Sequence, residues 1–355
     1  MKIIEVRTRT EAFELTRPYT IAFRTVSDVE MGLVEIETDG GHIGRGCASP
    51  EPFVTGETRE ACAAALANDL SWLEGEDVRA LPRLCRQLES RLSETPAARA
   101  ALDMALHDLL AQQLGVPLVE MLGRAHESLP TSITIGIKSV DETLDEAKEY
   151  LGRGFRVLKV KLGHSLEEDL ARLKKLRDEL GTGFAIRVDP NQGYSAGEVS
   201  TFVDGTAHLD IEFLEQPMPA DQVAELRALP ETVRRRVAAD ETLLNEANAL
   251  ELVAPPVACG IFNIKLMKCG GIHAAGRIAD IADTAGVELM WGCMDESVIS
   301  ISAALHAALA SPATRYLDLD GSFDLARDVA GGGFVLEDGC LRTTDAPGLG
   351  LTPAD

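Results

Sequence analysis

The chain has 355 residues, of which 45% are hydrophobic and 26% charged, and its formal net charge at pH 7 is −23. This length suits one large barrel or two ordinary domains. The negative charge argues against nucleic acid or an anionic membrane surface as partner, because both require basic patches, and it favours cationic small molecules.

Composition also bears on where the protein acts. The seven cysteines show no C-x-x-C spacing and are typical of a reducing compartment. The first residues do not resemble a signal peptide, and no apolar run approaches the roughly 20 residues that span a bilayer. We expect a globular cytoplasmic protein, with homo-oligomerisation left open.

The N-terminal third predicts an α+β unit over residues 1–122. Residues 1–45 alternate apolar and polar side chains as strands do. Residues 59–122 carry long Ala- and Leu-rich helical segments, one of which ends at Gly115 ahead of Pro117.

From residue 123 the pattern becomes a repeat of one short apolar strand and one amphipathic helix. The eight strand candidates are "TSITIGI", "VLKVKLG", "GFAIRVDPN", "DIEFLEQP", "VAADET", "GIFNIKLMKCGG", "VELMWGCMDES" and "TRYLDLDG". Eight such units close an α/β barrel, with its chemistry at the carboxyl ends of the strands. The barrel is predicted over residues 123–324, and residues 325–355, too short for a domain, are expected to fold back onto the N-terminal unit.

Five consecutive strands of this barrel end in a charged residue, at intervals of 25 to 28 residues. In chain order these residues are Lys161, Asp189, Glu215, Asp240 and Lys265. The three carboxylates should converge on one point, and an all-oxygen cluster with positions open for water and substrate suits Mg²⁺. The alternative is that each acid caps the helix that follows it, which is harder to sustain for all three together.

Lys159 and Lys161 lie on the same face of "LKVKLG", because successive strand side chains alternate. A solvated strand face would explain an isolated pair, but this strand leads into the carboxylate cluster. An ammonium beside a second ammonium and a divalent cation releases its proton more readily, so Lys161 is predicted to be a base with Lys159 as its neighbour. Lys265 offers a second base across the barrel, and the metal would stabilise the enolate formed from a carboxylate substrate.

The set of motifs, from "RPYTIAFRTV" through "LKVKLG", "VDPNQG", "EQP", "ADET", "NIKLMKCGGI" and "GCMDES" to "LDLDG", resembles the enolase superfamily over nearly the whole chain. The resemblance is to its muconate-lactonizing subgroup, and more closely to the dipeptide epimerases. It implies a modified TIM barrel, (β/α)₇β, with an N-terminal α+β capping domain. It also implies Mg²⁺ on the three strand-end carboxylates and acid/base roles for Lys161 and Lys265.

Three further residues are interpreted through this resemblance. Lys268 falls outside the family's catalytic position and is expected to be a loop charge. Cys47 stands where relatives tend to have Glu, and Gly321 stands where Pro is common.

The reaction type is predicted from "YLDLDG", which places Asp318 and Asp320 on one face at the end of the eighth strand. In dipeptide epimerases a D-x-D here binds the substrate's α-ammonium group. A helix cap or an ion pair with Arg315 is the alternative. Cycloisomerases, o-succinylbenzoate synthases and N-acylamino acid racemases resemble the same lysine and metal pattern and stay open, as does a retired barrel that only binds a ligand.

The sequence gives conflicting indications of the substrate side chains. Arg24 matches an arginine that meets the acidic side chain of the substrate in Ala-Glu epimerases. Glu51 and Asp295 are acids in the neighbouring loops, and a desolvated carboxylate needs a cationic partner, from the substrate or from Arg24. The balance favours Lys- or Arg-containing dipeptides over L-Ala-D/L-Glu. Thr134, in the first barrel strand, is a further candidate for substrate binding.

Overall fold

The computed structural model describes the backbone of residues 1–21 and 24–354, and the side chains of residues 1–17 and 26–354. The chain opens with a three-stranded antiparallel sheet, β1 (Ile3–Ile21), β2 (Arg24–Thr38) and β3 (Ile43–Ala48), in that order. Five helices follow: α1 (Pro52–Thr55), α2 (Arg59–Ala67), α3 (Leu81–Arg91), α4 (Pro96–Leu114) and α5 (Leu118–Leu122). Two 3₁₀ turns, Ser71–Leu73 and Val78–Ala80, lie between α2 and α3.

Helix α4 packs directly on β3 because two glycines of the strand carry no side chain at the contact. A Cβ on Gly46 would lie 1.8 Å from Ala101 O, and one on Gly44 would lie 2.2 Å from Ala105 O. The helix itself ends at Gly115, whose φ of 70° is readily available only to glycine. The predicted α+β character of this unit is therefore confirmed.

The centre of the molecule is an eight-stranded parallel sheet whose neighbours follow chain order. Its strands are β5 (Ile133–Ile135), β6 (Val157–Lys161), β7 (Ala185–Asp189), β8 (Ile211–Glu215), β9 (Val237–Ala239), β10 (Ile261–Ile264), β11 (Glu288–Trp291) and β12 (Thr314–Leu317). The sheet closes where Thr131 bridges Leu317 in parallel and Ser132 N donates to Leu317 O at 3.0 Å. All eight predicted strands are present, and the barrel prediction is confirmed.

Helices connect successive strands on the outside of the barrel. They are α6 (Val140–Gly152), α7 (Leu166–Leu180), α8 (Ala196–Gly205), α9 (Val223–Ala228), α10 (Glu231–Arg234), α11 (Glu246–Val253), α12 (Leu266–Cys269), α13 (Ile272–Ala285) and α14 (Val298–Leu309). Seven strand–helix units followed by a last strand give the (β/α)₇β pattern. Among the helices of residues 1–21 and 24–354, none is long and apolar enough to cross a membrane.

Apolar side chains fill the barrel interior at its amino end, and the carboxyl end is open. Phe213, Ala238, Ile261 and Met290 form a separate buried cluster on which Tyr316 packs. Phe213 and Ala238 each precede a strand-end acid by two residues and therefore point to the same side of the sheet. This apolar floor leaves the carboxyl ends of the strands as the place for polar chemistry.

The N-terminal unit is anchored to the barrel next to the sixth strand. Asp103 Oδ1 in α4 accepts the backbone N–H of Ile272 at 2.6 Å, and Arg99 Nη2 donates to Cys269 O at 2.8 Å. Gly271 makes this approach feasible, since a Cβ there would lie 2.5 Å from Asp103 Oδ1. The contact fixes the segment that follows Lys265.

The C-terminal segment contributes four short strands, β13 (Ala330–Gly332), β14 (Phe334–Glu337), β15 (Cys340–Thr343) and β16 (Leu351–Pro353). Strand β15 pairs with β4 (Leu129–Pro130). Leu325 bridges Leu15 of β1, and Leu349 N donates to Asp108 Oδ1 of α4 at 2.9 Å. These contacts touch the N-terminal unit, while the domain limits at residues 122 and 324 stay predictions.

Candidate active site

The structure brings the five charged strand-end residues together at the open end of the barrel. Lys161, Asp189 and Glu215 are the last residues of their strands, and Asp240 and Lys265 directly follow theirs. Lys161 Nζ lies 2.6 Å from Asp189 Oδ2, and Lys265 Nζ lies 2.8 Å from Asp240 Oδ2. A ring of charge, here called the charge ring, therefore lines the mouth, with three carboxylates between two lysines.

Lys159 occupies the centre of this ring and is 3% exposed. Its Nζ lies 2.6 Å from Glu215 Oε2, 2.9 Å from Asp318 Oδ2 and 3.4 Å from Asp189 Oδ2. Burial by itself would lower the pKa of Lys159, but these carboxylates, Asp318 foremost, hold it well above its usual value. The reading of this strand as having a solvated face is wrong, and Lys159 is a buried ammonium that balances the acids.

Burial raises the pKa values of the three carboxylates, whereas the neighbouring lysines lower them. Burial, assisted by repulsion from Asp189 and Asp240, raises the pKa of Glu215 to about 8. Burial would also raise the pKa of Asp240, but the ammonium groups of Lys265 and Lys268 bring it well below its usual range. Three acids this close to one another need cations to stay ionised.

In each of the three carboxylates, one oxygen accepts an orienting hydrogen bond and the other faces Lys159, Lys161 or Lys265. The orienting hydrogen bonds are Asn191 N to Asp189 Oδ1 at 2.8 Å, Asn263 Nδ2 to Glu215 Oε1 at 2.9 Å and Lys268 Nζ to Asp240 Oδ1 at 2.5 Å. Glu215 Oε2 is fully buried and accepts no well-directed hydrogen bond, although Lys159 lies nearby. An all-oxygen set in which each acid keeps one oxygen facing inward fits a hard divalent cation such as Mg²⁺.

The helix-capping alternative for these acids is wrong. Helix α8 is capped by Ser195, which accepts from Glu198 N, and α11 is capped by Asn245, which accepts from Asn248 N. Asp189 instead closes a tight turn through Asn191 N, and Asp240 faces the lysines.

Lys268 is not a loop charge, which corrects the expectation from the sequence. It is 3% exposed, and its Nζ donates to Asp240 Oδ1 at 2.5 Å, Asp240 O at 2.6 Å and Asn263 O at 2.9 Å. The cause is the one-turn helix α12, which puts residues three apart on the same side and turns Lys268 back under Lys265. The three-residue spacing of Lys265 and Lys268 in the sequence could have indicated that both face the same side.

The two acids of the D-x-D motif differ in their surroundings. Asp318 is buried, accepting from Ser132 Oγ at 2.6 Å and Lys159 Nζ at 2.9 Å, so it belongs to the charge ring. Asp320 lies at the cavity and accepts from Thr134 N at 2.8 Å. Burial and the neighbouring Asp318 raise the pKa of Asp320 to about 7.

The alternative that the motif pairs with Arg315 is wrong. Arg315 Nη1 donates to the backbone carbonyls of Pro312 and Thr314, at the other end of the strand. Gly321 after the motif has a steric reason, because a Cβ there would lie 2.0 Å from Met294 O. The loops after the seventh and eighth strands can therefore touch only with glycine at this position.

A cavity of about 360 Å³ lies over the charge ring and between the loops. Glu51, from the N-terminal unit, and Asp295, from the loop after β11, both line it. Ser49 Oγ donates to Asp295 O at 2.7 Å and so joins the two loops. The side chain of Arg24 lies outside the described residues, and Cys47 is buried against Met31 rather than in the cavity.

Asn263 and Glu241 are among the polar residues of the site that were not singled out from the sequence. Asn263 precedes Lys265 by two residues, the same alternation that pairs Lys159 with Lys161, and this spacing could have identified it. Glu241 accepts from Asn191 Nδ2 at 2.9 Å and lines the cavity. Burial, with repulsion from Asp240 and Asp189, raises the pKa of Glu241 to about 7.

Comparison with known proteins gives matches along the chain. Residues 3–123 match the N-terminal domain of mandelate racemase/muconate lactonizing enzyme, and residues 142–355 match the enolase C-terminal domain-like family. The L-Lys-D/L-Arg epimerase of Methylococcus capsulatus is 64% identical over 100% of both chains. The L-Ala-D/L-Glu epimerase of Bacillus subtilis is 34% identical over 100% of this chain and 98% of its own.

A solved structure extends the similarity to three dimensions. The Methylococcus capsulatus dipeptide epimerase, complexed with Mg and the dipeptide L-Arg-D-Lys, superposes with a TM-score of 0.98. It is 64% identical in sequence, and the match covers 99% of this chain and 100% of that one.

Proposed function

The chain belongs to the dipeptide epimerases of the mandelate racemase/muconate lactonizing enzyme family, in the enolase superfamily, and we propose that its substrates are dipeptides carrying Lys or Arg side chains. Such an enzyme is an isomerase that inverts one α-carbon, here that of the C-terminal residue, by removing its proton and returning one to the opposite face. Mg²⁺ is its cofactor.

The observation that carries the reaction type is the placement of two lysines across the barrel. Lys161 ends β6 and Lys265 follows β10, and these strands are four apart in a closed sheet of eight. Two bases on opposite walls can reach the two faces of one α-carbon. We assign Lys161, by resemblance, to the L epimer and Lys265 to the D epimer, each taking the α-proton at Nζ or returning one from it.

The proposed metal ligands are Asp189, Glu215 and Asp240. Mg²⁺ bound there supplies electrostatic stabilisation for the charge that develops on the substrate carboxylate when the α-proton leaves. Lys159, held by three carboxylates, balances the charge of the ring. The loop that carries Glu51 lines the cavity.

Substrate recognition is proposed to depend on acids around the cavity. Asp320 would bind the α-ammonium group of the dipeptide, with Thr134 N fixing its orientation. Glu51 and Asp295 would meet the cationic side chain, and eight carboxylates against five basic groups line this cavity within the described residues. The Methylococcus relative, with its L-Arg-D-Lys complex, supports this preference.

The alternatives predict different chemistry. L-Ala-D/L-Glu would need Arg24 to face the substrate's acidic side chain, and N-acylated substrates would leave Asp320 without a cation.

A cytoplasmic location and a homo-oligomeric assembly stay predictions.

The test is a dipeptide library incubated with the protein and Mg²⁺ in D₂O, with deuterium uptake at the α-carbon followed by mass. We expect Lys- and Arg-containing dipeptides to have the highest kcat/KM, and Asp295→Ile to lower it for them. The proposal fails if L-Ala-L-Glu exceeds every cationic dipeptide, or if Asp295→Ile improves turnover of the cationic ones.

A further inference from the structure

Burial lowers the pKa of Lys268, but its contacts are those of an ammonium group. Its Nζ lies within 2.9 Å of three oxygens: Asp240 Oδ1, Asp240 O and Asn263 O. These are acceptors, and satisfying all three requires the three N–H donors of an ammonium group. A neutral amine has two, and would direct its lone pair at an oxygen.

We propose that Lys268 restricts Asp240 to a single ligand oxygen and thereby makes the metal site selective for Mg²⁺ over Ca²⁺. This inference rests on the metal site of the proposed function. It gives a buried lysine that takes no part in the proton transfer a defined role as a positioning residue.

The two oxygens of Asp240 have different surroundings. Oδ1 lies 2.5 Å from the Lys268 ammonium, so a divalent cation at that oxygen would be repelled by a neighbouring positive charge. Oδ2 faces the cavity and lies 2.8 Å from Lys265 Nζ, which, among the described residues, donates to no backbone carbonyl and is free to turn away. Since Lys268 is also held by two backbone carbonyls, it cannot move aside when an ion arrives.

This restriction affects the two cations differently. Ca²⁺ takes six to eight oxygens and commonly uses both oxygens of a carboxylate, whereas Mg²⁺ is smaller and is bound through one oxygen each of a few carboxylates, with water completing an octahedron. Loss of the second Asp240 oxygen therefore costs Ca²⁺ a ligand that Mg²⁺ does not need. The direct repulsion between Lys268 and the bound ion is the same for two divalent ions and cancels from the ratio of their affinities.

The other two carboxylates are tied by neutral groups. The backbone N–H of Asn191 holds Asp189 Oδ1, and the side-chain amide of Asn263 holds Glu215 Oε1. A neutral donor orients an oxygen without repelling a cation. Lys268 is thus the only charged donor among the three orienting hydrogen bonds. Its removal should have the largest effect on the preference for Mg²⁺ over Ca²⁺.

The test is isothermal titration of the metal-free full chain with MgCl₂ and, separately, CaCl₂, at one pH and ionic strength. Glu215→Gln identifies the heat that belongs to the site, because it should abolish that heat for both ions. Lys268→Met removes the ammonium, and Lys175→Met, an exposed lysine paired with Glu179, removes one lysine elsewhere as the matched control.

We expect the wild type and Lys175→Met to bind Mg²⁺ more tightly than Ca²⁺, and Lys268→Met to lower the Kd ratio of Ca²⁺ to Mg²⁺ about tenfold or more. Should Lys268→Met fail to fold by its melting curve, Lys268→Gln keeps a hydrogen-bond donor without the charge, and the same fall is expected. An unchanged ratio in whichever variant folds overturns the inference and leaves the metal site standing. If the wild type gives no Mg²⁺ binding heat that Glu215→Gln abolishes, both this inference and the proposed metal site are overturned.

Discussion

Replacing Asp320 with Asn should separate recognition of the substrate's ammonium group from catalysis. Asp320 is the member of the D-x-D motif that faces the cavity, and Thr134 N is its hydrogen-bond donor at 2.8 Å. Asp318 is already engaged by Lys159 and Ser132. Asn at position 320 keeps the size and one acceptor oxygen but loses the charge.

The size of the effect follows from the bond that is weakened. A hydrogen bond to a charged group contributes about 1.5–3 kcal/mol, which corresponds to about 10- to 150-fold in kcat/KM. Only substrates with a free amino terminus should lose this factor. A dipeptide whose α-amino group is acetylated makes no ion pair with Asp320, and its already low activity should be nearly unchanged.

The assay compares L-Arg-L-Lys with its Nα-acetyl derivative, using α-proton exchange in D₂O and, where exchange is too slow, inhibition constants. Asp318→Asn is the matched control and should impair both compounds, because it disturbs Lys159 in the charge ring. If Asp320→Asn lowered both compounds equally, the ammonium anchor would be refuted and the N-acylamino acid racemase alternative favoured.

Two further predictions concern the bases and acid stability. Lys161→Arg and Lys265→Arg should each nearly abolish net epimerisation while one variant still exchanges the proton of a single epimer; full turnover by both would contradict two-base catalysis. His306 accepts from Val119 N at 2.9 Å, and burial lowers its pKa to about 4. The unfolded chain, with a histidine pKa of about 6.5, binds the proton first, so unfolding free energy should fall by about 3 kcal/mol as pH drops from about 6.5 to 4. Denaturation curves of His306→Gln should not show this fall in unfolding free energy. The same dependence of unfolding free energy on pH in the variant and the wild type would contradict the prediction.

The barrel and its charged strand ends were predictable from the sequence because both are local. Alternation along "LKVKLG" places Lys159 and Lys161 on one face, and a βα unit of nearly constant length returns the chain to the same end of the sheet each time. A charged residue at each of five such points can therefore be assigned to one rim without knowledge of the packing.

Only the tertiary structure decided how these charges pair. Lys268 was misread because its burial depends on a one-turn helix held down by Asp103 and Arg99 of α4, more than 150 residues earlier in the chain. The difference between Asp318 and Asp320 likewise depends on the closure of the last strand against the first, which brings Ser132 and Thr134 to them. Local periodicity fixes which face a side chain occupies, whereas its partners, and hence its charge state and role, are set by contacts between strands and domains that sequence spacing does not encode.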